Sequence, residues 1–240
     1  MPQLPLLPEP PEPPSVPGLP TGYVYRVTRY ADAILRSAFP ALFDDLVAAL
    51  EGFTVDVGEL QASGGNRTPF VDRFDRSLEE RGWGKRRISI ETRIDGEVVS
   101  EVRGHEIDMF RTDPGPQGPY PGVAVEMEWN NKDPFFDRDL TNFHALHRGG
   151  ALAVGVIVTR GPVLQEAVKE LVRNPQGGVK YGASSTHWDK LMPRVDLGGG
   201  GECPLVLVGI EAPRVRGLEE LARDRGRDDL VPAARAPGRD

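Results

Sequence analysis

The spacing of apolar residues predicts helices in several parts of the chain. Residues three or four positions apart share one face of a helix, so an apolar stripe at that spacing indicates a helix packed on a core. The predicted helices cover residues 40–50, 68–82, 137–147 and 162–172. The second begins with Thr68 and Pro69, a cap followed by a residue suited to the first helical turn. A short charged helix is also expected around residues 217–225.

Runs rich in β-branched residues predict the strands. Residues 87–94 and 97–103 flank the dipeptide Asp95-Gly96, which is typical of a two-residue turn, and they predict a β-hairpin. Further strands are expected at residues 105–110, 123–129, 152–159 and 204–210. The last two are almost entirely apolar, as in strands buried on both faces. The order of these elements predicts an α/β fold with a mixed central sheet flanked by helices.

Composition divides the chain into an arm, a folded body and a tail. Nine prolines lie between residues 2 and 20. Because proline lacks an N–H and fixes φ, residues 1–20 are expected to form an extended, flexible arm. Residues 21–212 are predicted to form a single domain, and residues 213–240 a charged C-terminal tail.

Charge, hydropathy and cysteine content narrow the class of protein. With 29 basic and 36 acidic residues, the formal net charge of −7 argues against a protein that coats nucleic acid non-specifically. No run of about 18 apolar residues occurs, so no membrane span is expected. Cys203 is the single cysteine of the sequence. It excludes an intramolecular disulfide and favours a reducing compartment, which predicts a cytoplasmic protein.

Two glutamates are predicted to share one face of the strand at residues 123–129. Side chains alternate across a strand, so Glu126 and Glu128 point the same way. Placing two carboxylates side by side on a core strand costs desolvation and repulsion, and a bound cation would explain that cost. Asp108, on the neighbouring predicted strand, converges with them if the two strands pair. Three carboxylates without cysteine favour magnesium over zinc.

The same pair of glutamates admits other interpretations. Glu126 and Glu128 would lie on a solvated face if the strand were amphipathic. Their separation of roughly 6.6 Å, twice the strand rise, would also suit an inverting glycosidase. The short chain and the few aromatic residues disfavour the glycosidase.

Three segments of the chain carry a family resemblance. They are residues 104–111 (GHEIDMFR), 125–147 (VEMEWNNKDPFFDRDLTNFHALH) and 180–194 (KYGASSTHWDKLMPR). They resemble the BglII/BstYI-type restriction endonucleases, which belong to the PD-(D/E)XK nuclease superfamily. The resemblance extends over about residues 68–210. It implies a PD-(D/E)XK, restriction endonuclease-like core.

The resemblance assigns roles to the acidic residues. Asp108 matches the first metal-binding acid and Glu126 the second metal ligand. Glu128 stands where the superfamily usually has lysine, a departure known among restriction enzymes, and it would serve as a base or as a further metal ligand. The catalytic residues implied are therefore Asp108, Glu126 and Glu128, with Mg²⁺ as the cofactor.

The activity implied is that of a magnesium-dependent type II restriction endonuclease. Such an enzyme hydrolyses phosphodiester bonds in double-stranded DNA and leaves 5′-phosphates. Cutting both strands of a palindrome implies a homodimer, and a cognate DNA methyltransferase is expected from the family alone. A catalytically inactive DNA-binding relative is the alternative from a different functional class.

Two polar segments are candidates for contact with DNA. Asn130, Asn131 and Lys132 follow the acidic strand, and asparagine is able to bind adenine through two hydrogen bonds. Ser184 and Ser185 lie in a loop of small residues that would allow a close approach to bases. Both segments would be ordinary turns or helix caps if they did not touch DNA.

Overall fold

The structure is a computed structural model, and it describes residues 16–62, 68–114, 118–182 and 184–231. Most of the arm expected at residues 1–20 lies outside the described residues, as does the end of the expected tail. Val16 and Leu19, which are described, pack against the core.

The strands and helices are as follows. The strands are β1 (Tyr23–Val27), β2 (Val55–Asp56), β3 (Gly84–Arg86), β4 (Ser89–Ile94), β5 (Glu97–Arg103), β6 (Ile107–Thr112), β7 (Gly122–Glu128), β8 (Leu152–Arg160), β9 (Leu205–Ile210) and β10 (Val215–Arg216). The α-helices are α1 (Ala31–Ala38), α2 (Pro40–Gly52), α3 (Val57–Gln61), α4 (Pro69–Glu79), α5 (Pro134–Arg148), α6 (Pro162–Leu171), α7 (Trp188–Asp196) and α8 (Leu218–Asp224). Single turns of 3₁₀ helix lie at Ala212–Arg214 and Asp228–Leu230.

A six-stranded sheet organises the described residues, in the order β1-β9-β8-β7-β6-β3. β7, β8 and β9 run parallel to one another, whereas β1, β6 and β3 pair antiparallel to their neighbours. The apolar runs of β8 and β9 occupy the middle of this sheet and are almost completely buried. The predicted α/β fold with a mixed central sheet is therefore confirmed.

Helices cover both faces of the sheet. One face packs against α1, α2, α4, α6 and α8, and the larger core cluster lies there. The opposite face packs against α5 and α7. The two clusters alternate along β8, where Val156 belongs to the first and Ile157 to the second. This alternation is the physical result of burying a strand on both sides.

Helix α5 lies unusually close to the sheet. A Cβ atom added to Gly155 of β8 would stand 2.3 Å from a ring carbon of Phe143. Any larger residue at position 155 would therefore push α5 outward. The helix begins at Pro134, three residues earlier than the start predicted at residue 137, because proline suits the first helical turn.

The predicted hairpin forms, but outside the central sheet. Asp95 and Gly96 both have positive φ angles, of 50° and 88°, as the predicted two-residue turn requires. β4 and β5 make a separate two-stranded sheet, with nearly all of their side chains exposed. The edge of the central sheet is β3 instead, whose short basic sequence gave no apolar signal.

Packing continues beyond residue 212, where composition placed the end of the folded body. Val215, Leu218 and Ala222 are buried in the larger core cluster. The short charged helix predicted at residues 217–225 is α8, and its two buried positions fasten this part of the chain to the body.

A half-buried carboxylate that caps the start of α6 makes stability depend on pH. The N–H groups of Leu164 and Val163 donate to Glu211, at 2.8 and 3.4 Å. Burial nevertheless raises the pKa of Glu211 to about 7. A carboxyl whose pKa is raised by folding stabilises the protein at low pH, and that stability is lost as the pH rises through the raised value.

We therefore expect Glu211→Gln to lose less stability than the wild type between pH 4.5 and pH 7, since the amide cannot ionise. The melting temperatures of both proteins, measured across this range, check the expectation. Parallel pH profiles would contradict it.

Candidate active site

Asp108 and Glu126 meet across two paired strands. β6 and β7 are antiparallel, with Met109 opposite Val125, and the same register puts Asp108 opposite Glu126. The Asp108 N–H donates to Oε1 of Glu126 at 3.3 Å. Glu126 is 2% exposed, whereas the Asp108 side chain is 43% exposed. The pair thus combines a buried carboxylate with one that solvent reaches.

Glu128 lies further along β7, on the same face as Glu126. It is 2% exposed, so the interpretation that both glutamates lie on a solvated face is wrong. Nδ2 of Asn131 donates to its Oε2 at 2.5 Å, and Nη2 of Arg138 donates to its Oε1 at 3.3 Å. These two donors hold the Glu128 carboxylate in one orientation.

A fourth carboxylate, Asp139, reaches the group from α5. It is 1% exposed and shares a hydrogen bond with Glu128. Arg138 also donates to Asp139, at 2.8 Å from its Nε. Because α5 lies close to the sheet, a side chain one turn before Phe143 is brought over the carboxylates of β7.

Crowding of these acids disfavours their charged forms. Burial raises the pKa of Glu126 well above its usual value, and the charges of Asp139, Asp108 and Glu128 raise it further. Burial and Asp139 also raise the pKa of Glu128, against the opposing effect of Asn131 and Arg138. The pKa of Asp139 is raised by burial as well, against the effect of Arg138. Negative charge at this point of the sheet is therefore poorly compensated by the protein itself.

The geometry limits how a metal ion would be held. Among the described residues, no three His, Cys, Asp or Glu side chains stand close enough together to hold one by themselves. Asp108 and Glu126 provide hard oxygen atoms, and Mg²⁺ is commonly bound by one or two carboxylates with water and phosphate oxygens completing the shell. The donor set at this pair of residues fits such an ion.

Basic residues of the edge strand face the acids. Nζ of Lys85 lies 3.6 Å from Oδ1 of Asp108 and 3.7 Å from Glu106. Nη2 of Arg87, just after β3, lies 3.8 Å from the other Glu106 oxygen. All of these side chains are partly exposed, so they remain within reach of a charged ligand.

The two candidate DNA-contacting segments lie against each other. Lys132 and Ser185 form an antiparallel β-bridge. The Thr186 N–H donates to the Asn131 carbonyl at 2.9 Å, and the Asp133 N–H donates to the Ser184 carbonyl at 3.3 Å. Asn130, Lys132 and Ser184 are exposed, whereas Asn131 and Ser185 are half-buried. The turn after β7 and the loop before α7 therefore make one polar surface beside Glu128.

Comparison with known protein families identifies the chain. Residues 23–210 match the family model described as restriction endonuclease BglII/BglIII, which is the greater part of the sequence. The chain belongs to this family. It is accordingly a site-specific deoxyribonuclease, and the resemblance seen in the three sequence segments is confirmed. The match begins well before residue 68 and so includes β1 and the first helices.

No curated protein was found to match the chain. No helix among the described residues is long and apolar enough to span a membrane. The family match favours a nuclease over the two-carboxylate glycosidase.

Sequence reasoning missed two groups that the fold brings to the acids of the endonuclease. Asp139 carried a signal, because it lies three residues after Phe136 and four before Phe143, on the buried stripe of α5. A carboxylate on such a stripe is rarely left without a function or a partner. Lys85 lies in the basic run at residues 81–87, which could bind phosphate, but nothing local shows that β3 pairs with β6 and so brings Lys85 to the acids.

We expect a divalent cation to stabilise the endonuclease through Asp108 and Glu126. At a concentration 100 times its Kd the gain would be about 2.7 kcal/mol in the free energy of unfolding. Ca²⁺ or Mg²⁺ should raise the melting temperature of the wild type much more than that of Glu126→Gln.

The matched control is Glu211→Gln, which alters another glutamate whose pKa is raised and should keep the full effect of the cation. In cation-free buffer above neutral pH, Glu126→Gln should be at least as stable as the wild type, because the raised pKa of Glu126 makes its ionised form destabilising. Equal cation effects in Glu126→Gln and the wild type would count against this site.

Proposed function

We propose that the chain is a magnesium-dependent type II restriction endonuclease, which hydrolyses phosphodiester bonds in double-stranded DNA and leaves 5′-phosphates. The observation that carries the proposal is the contact between Asp108 and Glu126 across β6 and β7. This contact brings a buried carboxylate and an accessible one together at one point of the sheet, in a chain that belongs to a family of site-specific deoxyribonucleases.

Magnesium is proposed because restriction endonucleases generally use it and because the oxygen donors at this point suit it. Asp108 and Glu126 would hold the ion. When bound, Mg²⁺ would neutralise charge at the scissile phosphate and lower the pKa of a water molecule. The poorly compensated charge of the carboxylates is consistent with a cation being part of the working site.

Glu128 is proposed to accept the proton of the attacking water. Asn131, Arg138 and the hydrogen bond shared with Asp139 take up three of the four lone-pair positions of its carboxylate and leave one for a water molecule. A water molecule there would be oriented by Glu128 and would pass its proton to it. Lys85, beside Asp108, would meet the charge of the phosphate on the accessible side.

DNA would lie across the polar surface formed after β7 and before α7. Asn130, Asn131 and Lys132 from the turn, with Ser184 and Ser185 from the loop, are the residues proposed to touch it. The exposure of Asn130, Lys132 and Ser184 beside Glu128 supports this placement. A homodimer would present two such surfaces related by a two-fold axis, as cutting a palindrome on both strands requires. The proposal also includes a cognate methyltransferase and a cytoplasmic location.

Digestion of phage DNA with Mg²⁺, followed by mapping of the ends, tests the proposal. We expect discrete fragments with 5′-phosphates at a repeated short sequence. Asp108→Asn and Glu126→Gln should each reduce the cleavage rate by at least about 10²-fold. Binding to the same duplex, measured with Ca²⁺ in place of Mg²⁺, should persist.

The control is again Glu211→Gln, which should cut at the wild-type rate once its folded fraction is matched. Wild-type protein that binds a specific duplex but never cuts it would indicate the inactive DNA-binding relative instead. Undiminished cutting by Asp108→Asn or Glu126→Gln would contradict the assignment of the site.

Substitution of Glu128 separates proton transfer from orientation. Glu128→Gln keeps the size of the side chain and still accepts a hydrogen bond, but it cannot take a proton. If Glu128 is the base, the single-turnover cleavage rate of Glu128→Gln should be about 10² to 10⁴-fold below that of the wild type. A fall of less than about tenfold would leave Glu128 as an orienting group only.

A further inference from the structure

Arg160, the last residue of β8, is completely buried next to the proposed DNA-contacting surface. Within the described part of the chain, no carboxylate lies at ion-pair distance from it, and its Nε and Nη1 have no hydrogen-bond partner there. Burial lowers its pKa to about 10. Burying an uncompensated guanidinium costs free energy, so the contacts around it must hold it firmly in place.

Two aromatic rings and one loop hold the guanidinium. Its central carbon lies 4.9 Å from the ring centroid of Tyr181 and 5.5 Å from that of Trp129. Nη2 donates to Oγ of Ser185 at 2.6 Å and to the Thr186 carbonyl at 2.8 Å. Arg160 therefore fixes the loop before α7 over the ends of β7 and β8.

A continuous series of hydrogen bonds leads from Arg160 to Glu128. Arg160 donates to the Thr186 carbonyl, and the N–H of the same Thr186 donates to the Asn131 carbonyl. The Asn131 side chain then donates to Glu128. Arg160 and Glu128 lie on opposite faces of the sheet, so the loop carries this connection around the ends of the strands.

We propose that Arg160 is a positioning residue, which ties the loop containing Ser185 to the turn containing Asn131 and so fixes the orientation of Glu128. This inference rests on the proposed function, in which Glu128 takes part in cleavage and the two segments meet DNA. Arg160 touches neither DNA nor the reacting atoms. Its effect on cleavage would pass through Thr186 and Asn131.

The test compares single-turnover cleavage by Arg160→Met with that of the wild type, on the duplex mapped from the phage digestion and at saturating enzyme. Methionine keeps much of the length of the side chain but donates no hydrogen bond. We expect a fall of about 10²-fold in the cleavage rate constant, as for small displacements of a catalytic group. The concentration of enzyme giving half-maximal rate should change much less.

Arg214 offers a matched control for a merely structural arginine. Its guanidinium also donates to backbone carbonyls, those of Thr21 and Glu51, and it also lies over an aromatic ring, that of Tyr23. Arg214→Met should lower the melting temperature but leave the cleavage rate of the folded protein unchanged.

Two further variants test the connection between Arg160 and Glu128. Ser185→Ala removes one acceptor of Arg160 and tests the inference even if Arg160→Met does not fold. It should slow cleavage at saturating enzyme with little change in the enzyme concentration that gives half-maximal rate, whereas the loss of a DNA contact alone would raise that concentration. Arg160→Met combined with Asn131→Ala should be no slower than the slower single variant, because both act through one connection. The positioning role would be overturned if the rate losses of the two single variants multiplied in the double variant. It would also be overturned if folded Arg160→Met, or Ser185→Ala, cut DNA at the wild-type rate. Failure of the wild type to cut any DNA would instead overturn the proposed function.

Discussion

The antiparallel pairing of β6 with β7 is the constraint on which the site depends. A shift of one residue in this register would move Asp108 away from Glu126 and turn its side chain to the other face of the sheet. The register is held by apolar residues that face opposite cores, such as Met109 and Phe110. The chemistry of the carboxylates is therefore secured by hydrophobic burial and not by the carboxylates themselves, which repel one another.

Close packing of α5 against the sheet brings two further charged side chains to the acids of β6 and β7. The bare backbone at Gly155 admits the Phe143 ring, and this approach places Arg138 and Asp139 over Glu128. The half-buried Arg138 offsets part of the charge of these acids and leaves the rest uncompensated. In the proposed function, stability and catalysis compete here, since the free energy of unfolding would be greater if fewer acids were ionised in the interior.

Much of this arrangement was predictable from local sequence, and the missing parts have a common cause. The Asp95-Gly96 turn, the helix that begins with Thr68 and Pro69, and the apolar runs of β8 and β9 follow from local sequence, and the structure confirms them. The side-by-side placement of Glu126 and Glu128 follows from strand alternation. Lys85 and Asp139 did not follow, because each reaches the acids through tertiary packing: the pairing of an edge strand in one case and the depth of a helix in the other. Arg160 was also unpredictable, since its partners lie 25 and 26 residues further along the chain.

The exposed β4–β5 hairpin leaves the body and returns to it at nearly the same point. The Gly104 N–H donates to the Ile88 carbonyl at 2.9 Å, so the two ends of the excursion are joined before β6 begins. Insertions are tolerated best where the entering and leaving backbone already meet at the surface. A change in the length or charge of this ribbon would therefore leave Asp108, a few residues downstream, in its place.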